Sequence, residues 1–491
     1  MPRATAHSPF FPDFHRCLFG SPPRPALPSP AVLRDASQLR TACGDLLPDH
    51  WLSGAASGPN SRQRFFTPLV TFWAFLAQVL DRASCRDAVR SLLAHLPTLA
   101  GATVATLSAS TAAYCQARAR LPLALLQQVA SALAARLCAE VPQAALWCGH
   151  RVRVLDGSTL SMPDTPDNQQ RWPQSKNQKP GCGFPTLKIV GLFCLHSGAF
   201  LHRAYRRLQD SEQALARQLW ACLEKGAVLL ADRNFCSFFD LSVLQARGVE
   251  AVLRLHGGRK ADFRQGQRLG AEDRLVTWTR PRRVHFGGTD EEYAALPATL
   301  RLRYVRYRVE QPGFRSRQIV VVTTLLDPGR YSRQALAELY RQRWQIELYW
   351  RECKSILQLD VLRCRTPEMV EKELLLHALA YNLVRALMQR AAIIHHRPLA
   401  SLSFKGTLDT LAHFAPALHA VAGQPRKRAD LLARCLHVIA SDLLPERPDR
   451  VEPRAVKRRP KAYDWLNVPR AQTSAKRAAR RKPRSPNPSL S

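Results

Sequence analysis

Acidic residues are scarce in this chain of 491 residues, which has 38 Asp and Glu against 72 Lys and Arg and a formal net charge of +34. So one-sided a charge is unusual for an enzyme of small metabolites, and it favours a polyanionic partner, with nucleic acid as the leading candidate. The alternative is a generally basic proteome in which the charge only solvates the surface. Hydrophobic residues make up 46% of the chain, which excludes wholesale disorder.

Paired cysteine motifs, an N-terminal apolar segment and a membrane-length hydrophobic run are also missing. The 13 cysteines include no C-x-x-C pair, so we interpret them as reduced thiols of a cytoplasmic protein. The first thirty residues have no apolar core of a signal peptide. The longest apolar run, residues 65–80, is shorter than the roughly 18 to 20 residues that cross a bilayer. We therefore expect a buried helix there and no membrane partner.

Changes in composition predict five parts. At roughly 150 residues per domain, the length suits about three folded domains. The parts are a Pro/Gly/Ser-rich, partly ordered segment (1–62), a helical domain (63–146), a mixed α/β domain (147–400) with a β-rich insertion (256–318), a helical region (401–446) and a basic, disordered tail (447–491).

Two of these parts are candidates for DNA contact. Residues 63–146 have helical periodicity, and such a domain can bind DNA ends by placing a helix in the major groove, although periodicity alone indicates only a core. The tail has too few aliphatic residues to fold alone and would make salt-dependent phosphate contacts. Alternatively, the tail is only solvated.

The mixed α/β domain shows strand-like and helix-like segments in alternation. An antiparallel hairpin is predicted from its turn at residues 196–199, and a single long helix over residues 333–357. The strands are predicted at 151–160, 186–195, 200–208, 226–232, 250–255, 300–311 and 319–326, and the other helices at 211–223, 238–247 and 374–394.

Two acids stand at the ends of predicted buried strands, Asp156 in VLDGS and Asp232 in LLADRNF. Strand ends of α/β sheets collect functional groups, because a rigid scaffold presents side chains there into an open crevice. Each acid alone is more simply explained as a helix cap or turn former. Two on one sheet favour a different role, since paired carboxylates can hold divalent cations that activate water and polarise a phosphate.

A third acid lies on the long predicted helix. Tyr340, Arg343, Glu347 and Lys354 fall within a stripe of roughly 60° on an ideal helix. Such a face suits phosphate handling, with Glu347 completing a metal site and the cations offsetting phosphate charge. The alternative is a surface helix with ordinary ion pairs. Glu338 and Glu352 lie on other faces and are rejected as the third ligand.

These residues resemble a known signature. Tyr340, Arg343, Glu347 and Lys354 fill every position of the Y-x2-R-x3-E-x6-K signature of the bacterial insertion-sequence-four family of DDE transposases. LDGST around Asp156 and ADRNF around Asp232 resemble that family's first two acidic motifs. The spacing leaves room for the β-rich insertion that the family places before the glutamate, and the likeness covers most of the chain from about residue 62.

The resemblance implies a fold, a reaction and a set of partners. The fold would be a ribonuclease-H-like mixed sheet flanked by helices, with a β-rich insertion and a helical N-terminal domain. Asp156, Asp232 and Glu347 would hold two Mg²⁺ ions, or Mn²⁺ in their place, roughly 3.5–4 Å apart. The reaction would be cut-and-paste transfer of double-stranded DNA from the element's terminal repeats into target DNA. The protein would act as a homodimer on paired DNA ends, in the cytoplasm and associated with the nucleoid.

The resemblance also implies how the cleaved end is held. In the family's hairpin intermediate, Tyr340, Arg343 and Lys354 are expected to bind the terminal phosphate. An aromatic side chain of the insertion would stack on a flipped base, since a flipped base needs a π-surface. We name Trp278 as the candidate, although burial in a core is the commoner fate of a tryptophan.

Other groups do not support a competing site. His395 and His396 are adjacent and would point to different faces of a helix, while Asp164 and Asp167 lie in a proline-rich loop typical of turns. Two further functions remain open: a catalytically idle DNA-binding protein of transposase descent that represses its element, and a structure-directed nuclease with the same core. The three acids argue against the first, and the tail and insertion against the second.

Overall fold

The computed structural model describes residues 36–52, 66–94, 108–283, 289–308, 318–445, 466–469 and 471–472. The predictions for residues 1–35 and for nearly all of the basic tail lie outside the described residues.

Helices precede the sheet, as the periodicity predicts. The most apolar of them begins at Pro68, where the Thr67 hydroxyl accepts a hydrogen bond from the backbone N–H of Val70 at 3.3 Å. This helix is apolar on every side, which is typical of a helix enclosed in a core. The helices before the sheet are α1 (Ala36–Cys43), α2 (Pro68–Leu80), α3 (Cys85–Ala94), α4 (Ala112–Arg120) and α5 (Leu123–Ala139).

One nine-stranded sheet forms the centre of the molecule, in the order β3-β2-β1-β4-β5-β9-β8-β7-β6. The predicted hairpin is confirmed, because β2 and β3 pair antiparallel. The strands are β1 (Val152–Ser161), β2 (Thr186–Cys194), β3 (Phe200–Arg207), β4 (Val228–Ala231), β5 (Glu250–Arg254), β6 (Gln267–Gly270), β7 (Asp273–Thr279), β8 (Thr299–Arg308) and β9 (Gln318–Thr323).

The first five strands have the ribonuclease-H-like arrangement. β2 is antiparallel to both of its neighbours, whereas β1, β4 and β5 are mutually parallel. Parallel neighbours need crossover connections. The connection from β1 to β4 includes α7 (Glu212–Leu219), and α8 (Phe238–Ala246) joins β4 to β5, whereas α6 (Pro166–Arg171) lies between the antiparallel strands β1 and β2. The predicted fold class, a mixed sheet flanked by helices, is confirmed.

The β-rich insertion continues this sheet instead of forming a separate one. β9 pairs antiparallel with β5, and β8, β7 and β6 follow outward. A short helix, α9 (Asp290–Ala294), lies between β7 and β8. A buried ion pair links two of the strands, because Arg303 donates to Asp273 at 2.8 Å.

The long helix predicted over residues 333–357 is interrupted. It consists of α10 (Arg333–Gln342), α11 (Gln345–Arg351) and a π-helical turn at Glu352–Ile356. At the first break, the N–H groups of Ile346 and Glu347 bond to carbonyls three residues back, so the chain is wound more tightly there than in an α-helix. The ideal stripe of roughly 60° therefore does not hold across both interruptions.

Behind these helices runs α12 (Pro367–Ile394), which is 28 residues long and buried along most of its length. It packs against α2 and α5, against α13 (Phe404–Ala420) and against α14 (Pro425–Ser441). The N-terminal helices and one face of the sheet thus share one continuous core. No single helix of the described residues is long and apolar enough to cross a membrane, although α4 and α5 meet that test as a pair bent by 70°.

Candidate active site

Asp156 and Asp232 lie at the same edge of the sheet. The parallel pairing of β1 with β4 ends at Val154 opposite Leu230. Each aspartate is two residues further along the chain, Asp156 within β1 and Asp232 directly after β4. Because the carboxyl ends of parallel strands meet at one edge, the two carboxylates come together there. The fold therefore juxtaposes the first two acids predicted from the sequence.

The environment of Asp156 disfavours ionisation of its carboxyl group. Burial raises the pKa of Asp156 to about 7, and the charges of Asp232 and Glu212 act in the same direction. The backbone N–H of Gly157 and the Arg343 guanidinium oppose this rise. A concentration of carboxylates at a strand end, with one of them holding a proton near neutral pH, is the electrostatic pattern of a cation-binding or catalytic centre.

Asp232 also caps a turn, which is the simpler role that the sequence analysis considered for each acid alone. Its carboxylate accepts a hydrogen bond from the backbone N–H of Asn234 at 2.7 Å and thereby caps a 3₁₀ turn over Arg233–Phe235. The turn fixes the direction in which the chain leaves β4. Capping does not compete with metal binding, since a carboxylate has about four lone-pair positions.

Glu212 is a fourth acid of this region, and the sequence analysis missed it. It begins α7 and accepts a hydrogen bond from the Asn234 side chain at 2.8 Å. Burial and the charge of Asp232 raise the pKa of Glu212, whereas Lys188 and Asn234 oppose the rise. An acid in the first turn of a helix is ordinary, so its position gave no signal in the sequence.

Gly157 is what lets Glu212 come so close to β1. A Cβ atom at Gly157 would lie only 1.4 Å from Glu212 Oε1, so a larger residue there would require the Glu212 carboxylate to move away from β1. Side chains alternate across a strand, so Asp156 points to one face of β1 while the space left by Gly157 opens to the other. The glycine of the LDGST motif thus has a steric reason.

Arg343 lies between Glu347 and Asp156. It ends α10 and donates a hydrogen bond to Glu347, in the first turn of α11, at 3.1 Å. Burial opposes the guanidinium charge, but Tyr340, Glu347 and Asp156 outweigh it and raise the pKa of Arg343. The structure therefore brings the arginine and the glutamate of the signature together, on the side of Asp156.

The remaining two signature residues also face this region. Lys354 lies in the π-helical turn and donates to the Ser158 hydroxyl of β1 at 3.0 Å. Tyr340 is 5% exposed, and its pKa is raised by burial, with Arg343 opposing and Asp232 adding to the rise. The phenol therefore keeps its proton and remains a hydrogen-bond donor at neutral pH.

The three predicted acids do not form a closed metal site. Across the described residues, no group of three His, Cys, Asp or Glu side chains is arranged to hold a metal ion. Asp156 and Asp232 share an edge, whereas Glu347 is turned to Arg343. The donor chemistry nevertheless fits a hard cation, because carboxylate oxygens are the ligands that Mg²⁺ prefers.

The prediction for Trp278 is wrong. This side chain is 5% exposed, donates to the Tyr304 hydroxyl at 2.6 Å and has the Arg259 guanidinium 3.8 Å from its ring centre. It packs opposite Leu300 in the core beneath the insertion, so no ring face is free for a base. The exposed large aromatic beside the signature residues is Trp344, at 45%.

The two rejected glutamates have partners away from the acids. Glu352 is buried and paired with Arg385 at 2.5 Å. Glu338 is exposed and accepts a hydrogen bond from Gln334 at 2.8 Å. Neither carboxylate lies with the two aspartates.

Known proteins with similar sequences are transposases. The family described as Transposase DDE domain matches residues 147–383, a range that contains Asp156, Asp232 and Glu347. The transposase of insertion sequence element IS4 from Escherichia coli K12 is 27% identical over 433 residues, which are 86% of this chain and 93% of that protein. The transposase of element IS231E from Bacillus thuringiensis subsp. finitimus is 23% identical over 261 residues, 45% of this chain and 52% of that protein.

A solved structure of the piggyBac transposase synaptic complex with hairpin DNA covers 86% of both chains at 10% identity. Its TM-score of 0.38 is too low to support any conclusion. The sequence relationships and the acidic motifs agree with each other: this chain is similar to DDE transposases, and among them to the transposase of IS4 over most of its length.

Proposed function

We propose that this chain is the transposase of an insertion sequence, which binds the ends of its element and carries out metal-dependent DNA cleavage and strand transfer. The observation that carries the proposal is the meeting of Asp156 and Asp232 at the carboxyl ends of adjacent parallel strands, with Arg343 beside Asp156. The similarity to DDE transposases supports the same activity.

Asp156, Asp232 and Glu347 would hold two Mg²⁺ ions, with Mn²⁺ as a substitute. A divalent pair supplies an activated water or 3′-hydroxyl and stabilises the leaving oxygen of an in-line displacement. In the structure Glu347 is bound to Arg343, so its carboxylate must leave Arg343 to serve as the third ligand. Its half-exposed side chain, at 39%, leaves room for that movement.

The cations of the signature would bind the phosphate. When Glu347 leaves, Arg343 keeps five N–H donors and a charge that matches a phosphate in a forked geometry. Lys354 is held to β1 through Ser158, two residues from Asp156, and so presents a point charge beside the acids. Tyr340 would donate a hydrogen bond to the terminal phosphate.

The DNA partners are proposed on the same basis. They would be the terminal repeats of the element and a target duplex, bound by a homodimer associated with the nucleoid, with residues 63–146 as the DNA-end-binding domain. The net charge of +34 suits this partner, because neutralising phosphates releases counterions and drives association.

A cleavage assay tests the proposal. A labelled duplex that contains the terminal sequence of the element is incubated with Mg²⁺ and either the unaltered chain, Glu347→Gln, or Glu291→Gln as a matched control on exposed helix α9. We expect metal-dependent nicking by the unaltered chain and the control, and none by Glu347→Gln. Tight binding without cleavage by the unaltered chain, with several divalent metals, would instead favour a catalytically idle repressor.

A further inference from the structure

A second charged feature lies beyond the acids. It is a cavity of about 730 Å³ between the exposed side of α10 and the adjoining ends of β8 and β9. We call it the arginine cavity, because its lining includes four arginines: Arg306, Arg308, Arg333 and Arg341.

The positive charge of this cavity is only partly compensated. Arg306 is paired with Glu272 at 2.7 Å, and the other acid of the lining, Glu338, is hydrogen-bonded to Gln334. Among the residues that the structure describes, neither Arg308 nor Arg341 has a carboxylate partner. Both are exposed, so the cavity presents unpaired guanidinium groups to solvent, which is a surface that attracts polyanions.

The cavity continues the phosphate-handling face of the catalytic region. Tyr307 belongs to its lining, and burial raises the pKa of Tyr307 to about 12 against the opposing charges of Arg254, Arg341 and Arg343. Tyr307 and Asp232 both contribute to the raised pKa of Tyr340. Helix α10 connects the two regions, because Arg341 on α10 lines the cavity and Arg343, directly after α10, donates to Glu347.

We propose that the arginine cavity binds the phosphodiester backbone of a DNA strand that continues from the bond cut at the acids. This inference rests on the proposed function and extends it to a separate binding surface. Arg308 and Arg341 would each contact a phosphate, and Arg333, which also donates to the Arg306 carbonyl at 3.5 Å, would line the path between them. Guanidinium groups suit this role because their forked donors match phosphate oxygens.

Salt-dependent binding tests the inference without any cleavage. The full chain is titrated, in the presence of EDTA, onto a labelled duplex of arbitrary sequence, about 30 base pairs long, because phosphate contacts do not depend on sequence. The variant Arg308→Ala/Arg341→Ala is compared with Arg268→Ala/Arg301→Ala, which removes the same charge from exposed positions of β6 and β8 outside the cavity.

The logarithm of the DNA-binding constant falls linearly with the logarithm of the salt concentration, and each lost phosphate contact makes this slope shallower by roughly 0.9. The slope of the cavity variant should therefore be shallower by about 1.8. When the salt concentration rises from about 50 to 200 mM, the factor by which its affinity falls should be about tenfold smaller than the factor for the unaltered chain. Arg308→Lys/Arg341→Lys should recover most of the slope, because the charge is kept.

Equal slopes for the cavity variant, the control variant and the unaltered chain would overturn the inference, and would leave an acidic protein segment as the better occupant. Equal losses in both variants would also overturn it, since the effect would then be one of net charge. Neither result depends on cleavage, so failure of the inference is distinct from failure of the proposed function.

Discussion

Arg343 holds Glu347 at 3.1 Å across the break between α10 and α11, on the side of the sheet where Asp156 lies. The positive charge of the same arginine thus acts on two acids that we propose as metal ligands. Without a bound cation, the charge of Arg343 offsets the repulsion between these carboxylates. If a cation took over that role, the Arg343 guanidinium would become available to bind a phosphate.

This relationship predicts a selective defect for Arg343→Ala. The first nick should be affected less than the retention of the cleaved end, because the arginine is expected to contact the terminal phosphate. A charge-assisted hydrogen bond contributes roughly 1.5–3 kcal/mol, so release of the end should be about 10- to 100-fold faster. Dissociation of cleaved, labelled DNA measures this effect, with exposed Gln342→Ala as the control. Equal loss of nicking and retention would contradict the prediction.

The raised pKa of Asp156 predicts that the free energy of unfolding depends on pH. Its folded pKa is raised to about 7 from an ordinary value of 3.8, so the folded chain binds one more proton than the unfolded chain between these values. The stability contributed by protonated Asp156 is complete below about pH 4 and is lost as the pH rises to about 7. Without metal, Asp156→Asn should therefore be more stable than the unaltered chain at pH 8, by on the order of 4 kcal/mol.

Urea unfolding at pH 4.5 and pH 8 checks this prediction. The difference between Asp156→Asn and the unaltered chain should be small at the lower pH and large at the higher. Added Mg²⁺ should narrow the gap at pH 8, because it binds the ionised carboxylate of the unaltered chain. A difference that does not change with pH would show that burial does not hold the proton on Asp156.

The close approach of Glu212 to Gly157 predicts that substitutions at these two positions have coupled effects on stability. Gly157→Ala places a Cβ atom on Glu212 Oε1 and should destabilise the fold by about 1–3 kcal/mol, the usual cost of overpacking. Cleavage should fall as well, because Asp156 precedes the strained residue. In a Glu212→Ala background the same substitution should cost much less, so a double-mutant cycle in thermal unfolding should show strong coupling. Additive effects would mean that the two residues do not meet.

The two tryptophans should respond in opposite ways. Trp278→Ala removes a buried ring and its hydrogen bond to Tyr304, and should cost about 3–5 kcal/mol of stability. Trp344→Ala removes an exposed ring beside Arg343 and should leave stability nearly unchanged. If Trp344 stacks on a base, its loss should weaken binding of a DNA end by about 1–3 kcal/mol. Thermal unfolding and binding to a duplex with unpaired terminal bases separate the two outcomes.

Local patterns in the sequence were enough to predict the strands that carry Asp156 and Asp232. β4 is a short apolar run that is followed directly by Asp232, whereas β1 continues past Asp156 to Ser161. The apolar residues of both strands could be recognised because hydrophobic periodicity is a local property of the chain. The hairpin of β2 and β3 and the apolar helix α2 could be predicted for the same reason. The order of the acids and the spacing of the signature also lie in the sequence alone, and they led to the same family of transposases that the comparisons find similar to this chain.

Only the tertiary structure decided how these elements meet. The approach of Glu212 to Gly157 depends on α7 packing on the opposite face of β1 from α11, which no local pattern encodes. The breaks that turn Glu347 toward Arg343, and the burial of Trp278 beside Leu300 of β8, likewise depend on packing between different segments of the chain. Local periodicity fixes which residues are apolar, but contacts across the sheet determine which polar side chains share a site.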